Sequence, residues 1–135
     1  NIFNKPLNSQ QRSKMKKTLL ILGSLASLVY ASNDFKPKPS DLKYLYSSSR
    51  VECFKVDHNL QNVLLDKNIN YTVTDVKIVS DHPKLGKLIQ FIVKTPDDTM
   101  PFTIFSKKGA CLLYKDINLG VPVDNALENP KYLAN

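Results

Sequence analysis

Cys53 and Cys111 are the two thiols of this sequence, and His58 and His82 its two imidazoles. Each histidine follows an aspartate, as Asp57-His58 and Asp81-His82, and Asp97-Asp98 is an adjacent carboxylate pair. A histidine oriented by a carboxylate can serve as a base or a metal ligand. Paired acids can divide acid and base roles when their surroundings separate their pKa values. The spacing argues against both uses here. Side chains adjacent on a strand point to opposite faces, and a zinc site wants three or four ligands. The turn-rich Pro96-Asp97-Asp98-Thr99 run leaves its acids in water.

Other signatures are equally thin. Ser47 to Ser49 lie beside Arg50 without a G-x-S-x-G elbow, and Gly86-Lys87 lacks the upstream glycine of a phosphate loop. Asn70-Tyr71-Thr72 fits a glycosylation acceptor but falls inside an expected strand. The expectation is no catalytic residue, no metal and no cofactor. A minor hydrolase using His58 or His82 is the least favoured of the functional readings.

The cysteines point elsewhere. Residues 15–31 have the three-part plan of an export signal. Met15-Lys16-Lys17 gives a positive start, Thr18 to Val29 carries no charge, and Val29-Tyr30-Ala31 ends the segment. Cleavage between Ala31 and Ser32 is expected. The apolar run is about a dozen residues, short of the roughly twenty that span a bilayer, so no stable membrane anchor is expected after cleavage. Residues 1–14 precede a good initiator methionine and read as an upstream extension outside the true start. In an oxidising compartment two cysteines pair, so a Cys53–Cys111 disulfide is expected. It would close a loop of roughly sixty residues, worth about 4 kcal/mol on the chain-entropy argument.

The formal net charge of +7 is misleading. Residues 1–31 hold Lys5, Arg12, Lys14, Lys16 and Lys17 and no acid, whereas residues 32–135 hold 14 basic and 12 acidic side chains. The mature part interleaves its charges, and nucleic-acid binding wants a clustered basic face. Nucleic acid is therefore not an expected partner.

The elements follow from patterning. Residues 32–39 read as a Pro/Lys linker, and residues 40–135 as a single small globular domain. Leu42, Leu45 and Tyr46 at helical spacing after Ser40-Asp41 predict a short helix over 40–48. Residues 50–56 alternate as a strand. Leu60, Val63 and Leu64, with Asp57 or Asn59 to cap, favour a short helix over 57–67. Strands are expected at 69–79, with a bulge near Asp75, and at 87–94, with Ile89, Phe91 and Val93 facing one way. Further strands are expected at 101–106 and 110–117, joined by a hairpin at Ser106 to Gly109. The tail reads as irregular, pinned by Val121, Val123 and Leu127. The fold class is α+β, with one or two short N-terminal helices packed on an antiparallel meander of four to five strands.

If only one sheet face is buried, Phe105 is an exposed aromatic beside Lys107 and Lys108, which makes these three a candidate contact surface. The expected function is that of an exported, non-enzymatic binding or interaction protein of the bacterial envelope or secretome. Its expected partner is an envelope or extracellular protein. The alternative is a small-ligand carrier with a pocket between helix and sheet.

Overall fold

A computed structural model describes residues 35–135. The expected export segment, its Ala31/Ser32 cleavage point and residues 1–14 lie outside the described residues. The chain forms β1 (Tyr44–Ser47), β2 (Glu52–Lys55), α1 (His58–Leu64), β3 (Thr72–His82), β4 (Gly86–Lys94), β5 (Thr99–Phe105), α2 (Lys108–Leu119) and α3 (Pro130–Leu133). Short 3-10 turns precede β1 at Pro39–Asp41 and precede α3 at Ala126–Glu128. The strands make one antiparallel sheet in the order β2-β1-β5-β4-β3. The α+β class with an antiparallel sheet is as the sequence implies.

Two expected elements are different. Residues 40–48 are not a helix but a 3-10 turn followed by β1. The spacing of Leu42, Leu45 and Tyr46 mimics a helical stripe because the sheet is covered on both sides. Leu42 and Leu45 belong to one core, and Tyr46 to the other. Residues 110–117 are not a strand but the body of α2. Ala110, Leu113, Tyr114 and Ile117 recur at i, i+3, i+4 and i+7 and are all buried, which is the stripe of an amphipathic helix. Gly120 ends α2 in the left-handed conformation, φ 75°, where a side chain would be strained. The meander is accordingly confined to β3-β4-β5, with the β1–β2 hairpin added beyond β5.

Other local expectations hold. Asp57 caps α1 by accepting from the Leu60 N–H at 2.8 Å. The register of β3 on β4 shifts between Val73 and Asp75, and again between Ile78 and Ser80. Ile89, Phe91 and Val93 share one buried face.

That face also holds Ile104 of β5 and is closed by Leu42, Val56, Val63 and Leu64 from the N-terminal turn and α1. The opposite face packs Tyr46, Leu88 and Phe105 against Cys111, Leu113, Tyr114 and Ile117 of α2. Tyr114 stands edge-on to Tyr46 with ring centroids 4.8 Å apart, and lies 5.4 Å from Phe105. Burial holds the Tyr114 hydroxyl in its neutral form, with its pKa pushed up to about 12.

The tail folds back along α2 through Val123, Ala126 and Tyr132, while Val121, expected to pin it, is exposed. Gly109 lies against the Tyr132 carbonyl, where a Cβ would collide with backbone, and its N–H donates to Ala134 O at 2.9 Å. Buried Asp116 accepts from the Tyr132 hydroxyl at 2.6 Å and from Lys131 Nζ at 2.8 Å.

Candidate interaction surface

The expected site residues separate once the chain is folded. Cys53 and Cys111 form a disulfide, with Cα atoms 6.1 Å apart. It ties edge strand β2 to α2, rather than to a last strand. Phe105 is not an exposed aromatic: at 1% exposure it is among the most buried side chains. Covering both faces of the sheet removes the alternation argument that placed it in water. Lys107 and Lys108 remain at the surface, half-buried and exposed respectively, where β5 hands over to α2.

Those two lysines belong to a larger group that the sequence scattered. Strand pairings bring the end of β5, the start of β1, the end of β2 and the β3–β4 turn to one end of the sheet. Lys43, Lys55, Lys84, Lys87, Lys107 and Lys108 all sit there, and Lys38 precedes the adjoining 3-10 turn. Among the described residues, the acidic side chains at this end are those of Asp41, Asp57 and Asp81. Asp41 is buried, paired with Lys87 at 2.9 Å, and accepts the Lys38 N–H at 3.0 Å. Asp57 is held by its cap on α1. The N-terminus of α2 adds its positive dipole to the same end.

The opposite end has the reverse balance, with Glu52, Asp66, Asp75, Asp97 and Asp98 against Arg50, Lys67 and Lys94. The separation of charge is a product of the topology and is invisible in the linear sequence.

The basic end is held in shape by its own polar groups. Lys107 Nζ donates to Lys84 O at 3.0 Å, and Ser106 Oγ accepts the Lys87 N–H at 2.7 Å. His82 Nδ1 accepts from the backbone N–H groups of Lys84 and Leu85, at 3.1 and 3.3 Å. Burial first, and then the charge of Lys84, lower its pKa. This histidine is a turn-former and not a base oriented by Asp81. His58 begins α1 and lies 3.3 Å from the Asn62 amide, while its neighbour Asp57 is turned to the helix cap. Among the described residues, no group of three or more His, Cys, Asp or Glu side chains could hold a metal ion.

A cleft of about 350 Å³ opens at this same end, between α1 and the β1–β2 pair. It is lined by Pro39, Leu42, Lys43, Tyr44, Lys55, Val56, Gln61 and Asn135. Gln61 reaches across from α1 to donate to Pro39 O at 3.1 Å. None of these lining positions carries a local motif, so no pattern in the sequence marks them.

Among the described residues no helix is long and apolar enough to cross a membrane. No family model, no curated protein and no solved structure matches this chain.

Proposed function

We propose that this chain is a small exported protein of the bacterial envelope or secretome that acts without enzymatic activity, by docking an envelope or extracellular protein. The observation that carries this reading is the charge polarity of the sheet. A rigid end presenting Lys84 and Lys108, with Lys107 bracing the turn behind them, suits an acidic protein surface. The Cys53–Cys111 bond supports a life outside the reducing cytoplasm.

The test combines mass and proximity. A photo-crosslinking residue at position 108 is expected to trap one partner in an envelope or culture fraction, and one at position 98 is expected to trap none. Lys84→Glu with Lys108→Glu should abolish the crosslink while leaving the fold intact, because both side chains are exposed. The intact mass from the same fraction should begin at Ser32, with both thiols blocked until reduced. Equal crosslinking from both positions, or a mass retaining residues 15–31, would overturn the reading.

A second reading is favoured by the cleft between α1 and the sheet. Its volume falls within the usual range of roughly 300–1,000 Å³ for small-ligand sites, which supports a carrier.

A further inference from the structure

We infer that the His82 imidazole is a proton-operated latch on the docking turn: the neutral ring holds Lys84 in place, and a proton on Nδ1 releases it, so that docking at the basic end weakens in acid. The inference rests on docking through Lys84 and Lys108 and adds the regulation of that same surface.

The β3–β4 turn needs the ring as its acceptor. Lys84 and Leu85 give their N–H groups to His82 Nδ1, at 3.1 and 3.3 Å, and Pro83 has no N–H to give. Among the described residues no backbone–backbone hydrogen bond closes Pro83 to Leu85. One imidazole lone pair thus takes the place of the carbonyl that closes an ordinary turn. The other holds on the turn are Lys107 Nζ, which donates to Lys84 O at 3.0 Å, and the Leu85 side chain, which is buried in the core.

A protonated ring carries hydrogen on both nitrogens and accepts nothing. Its Nδ1–H would face two N–H donors aimed at the same spot. Ring and turn must separate, and both donors pass to water. His82 is half-buried and Lys84 exposed, so the ring can rotate outward. Leu85 keeps the turn attached, which confines the change to the placement of Lys84.

The charged groups around the ring oppose its protonation. Lys84 is in the turn itself, Lys107 and Lys108 come from the junction of β5 and α2, and the first turn of α2 holds no acid. Asp81 is opposite Lys87 in the β3–β4 ladder, on the alternate face of the strands, and Lys87 is bonded to Asp41. Burial, and then the charge of Lys84, hold the ring below the ordinary 6.5, so the latched form prevails at neutral pH. The added charge of a protonated ring works the other way, drawing an acidic partner, but it is screened over about 8 Å at physiological salt. The lost placement of Lys84 is not screened.

The experiment follows the protein by NMR through the histidine titration range and measures its binding to poly-L-aspartate at physiological salt. The Lys84 and Leu85 amides are expected to shift with the midpoint of the His82 ring, below 6.5, while the Leu113 amide in the core stays fixed. One pH unit below that midpoint about nine-tenths of the rings are protonated, so docking by the latched form alone falls about tenfold. His82→Asn, which offers an acceptor that does not titrate, is expected to dock equally at that pH and at neutral pH.

Lys84 and Leu85 amides that ignore the titration of the ring overturn the latch. So does acid weakening that persists in His82→Asn, or docking that strengthens in acid. If the amides follow the ring but poly-L-aspartate shows no binding that Lys84→Glu with Lys108→Glu abolishes, the docking reading fails, and the regulation falls with it.

Discussion

Asp116 holds two partners at once, and its removal should be read at both. The carboxylate accepts from Tyr132 and Lys131 while itself buried beneath the tail. Lys131 is half exposed, so its share is screened by water, and the tyrosine bond dominates. Asp116→Asn is expected to cost about 1–3 kcal/mol in urea unfolding. It should also lower the Tyr132 pKa, which burial raises first and the Asp116 hydrogen bond and charge raise further. An unchanged alkaline titration of Tyr132 would contradict that assignment.

His82 has the opposite sign. Its two backbone donors require a neutral ring with the proton on Nε2. Its folded pKa lies below the ordinary 6.5, so its contribution is present above that value and lost as pH falls through the folded one. Stability is expected to fall as pH drops below about 6.5, the ordinary histidine value from which the folded one is lowered. In His82→Asn, which keeps a short acceptor at the turn, this local part of the pH slope should disappear. The Asp81-His82 adjacency, which suggests an oriented base, carries no sign of this role, because the partners are backbone amides two and three residues onward.

At the scale of elements, α2 matters most, and it is where alternation misleads most. Its stripe of Ala110, Leu113, Tyr114 and Ile117 is present in the sequence, yet a run of strands just before it biases the reading toward another strand. Likewise Leu42, Leu45 and Tyr46 look helical only because their strand is buried on both faces. An internal strand with a strongly apolar run, as in β4, was legible from patterning alone. The disulfide was legible too, but not what it joins. Because it links an edge strand to the helix lying over it, Cys53→Ser with Cys111→Ser should leave a folded protein about 2–4 kcal/mol less stable. An unchanged urea midpoint would show that packing of α2 alone holds β2 in place.

At the scale of the whole molecule, the candidate surface was only partly legible. Lys107 and Lys108 stand out as adjacent cations, but Lys43, Lys55 and Lys84 join them only through strand pairing over long separations. The cleft is harder still, since its lining comes from the N-terminal turn, β1, β2, α1 and the tail. No window along the chain contains it.

The order β2-β1-β5-β4-β3 has a consequence of its own. Each half of the sheet is built from neighbours in sequence, and β1 against β5 is the single seam between them, short at both register and length. The Cys53–Cys111 bond spans that seam through α2. Once it is reduced, the β1–β2 hairpin is joined to the rest only by noncovalent contacts and the stretch running through α1. Two reduced chains at high concentration can then trade hairpins, each closing the other's sheet with an identical seam. Oxidation makes this a question of timing. A bond formed before two chains meet fixes each hairpin to its own helix, and one formed afterwards locks the exchanged pair together covalently.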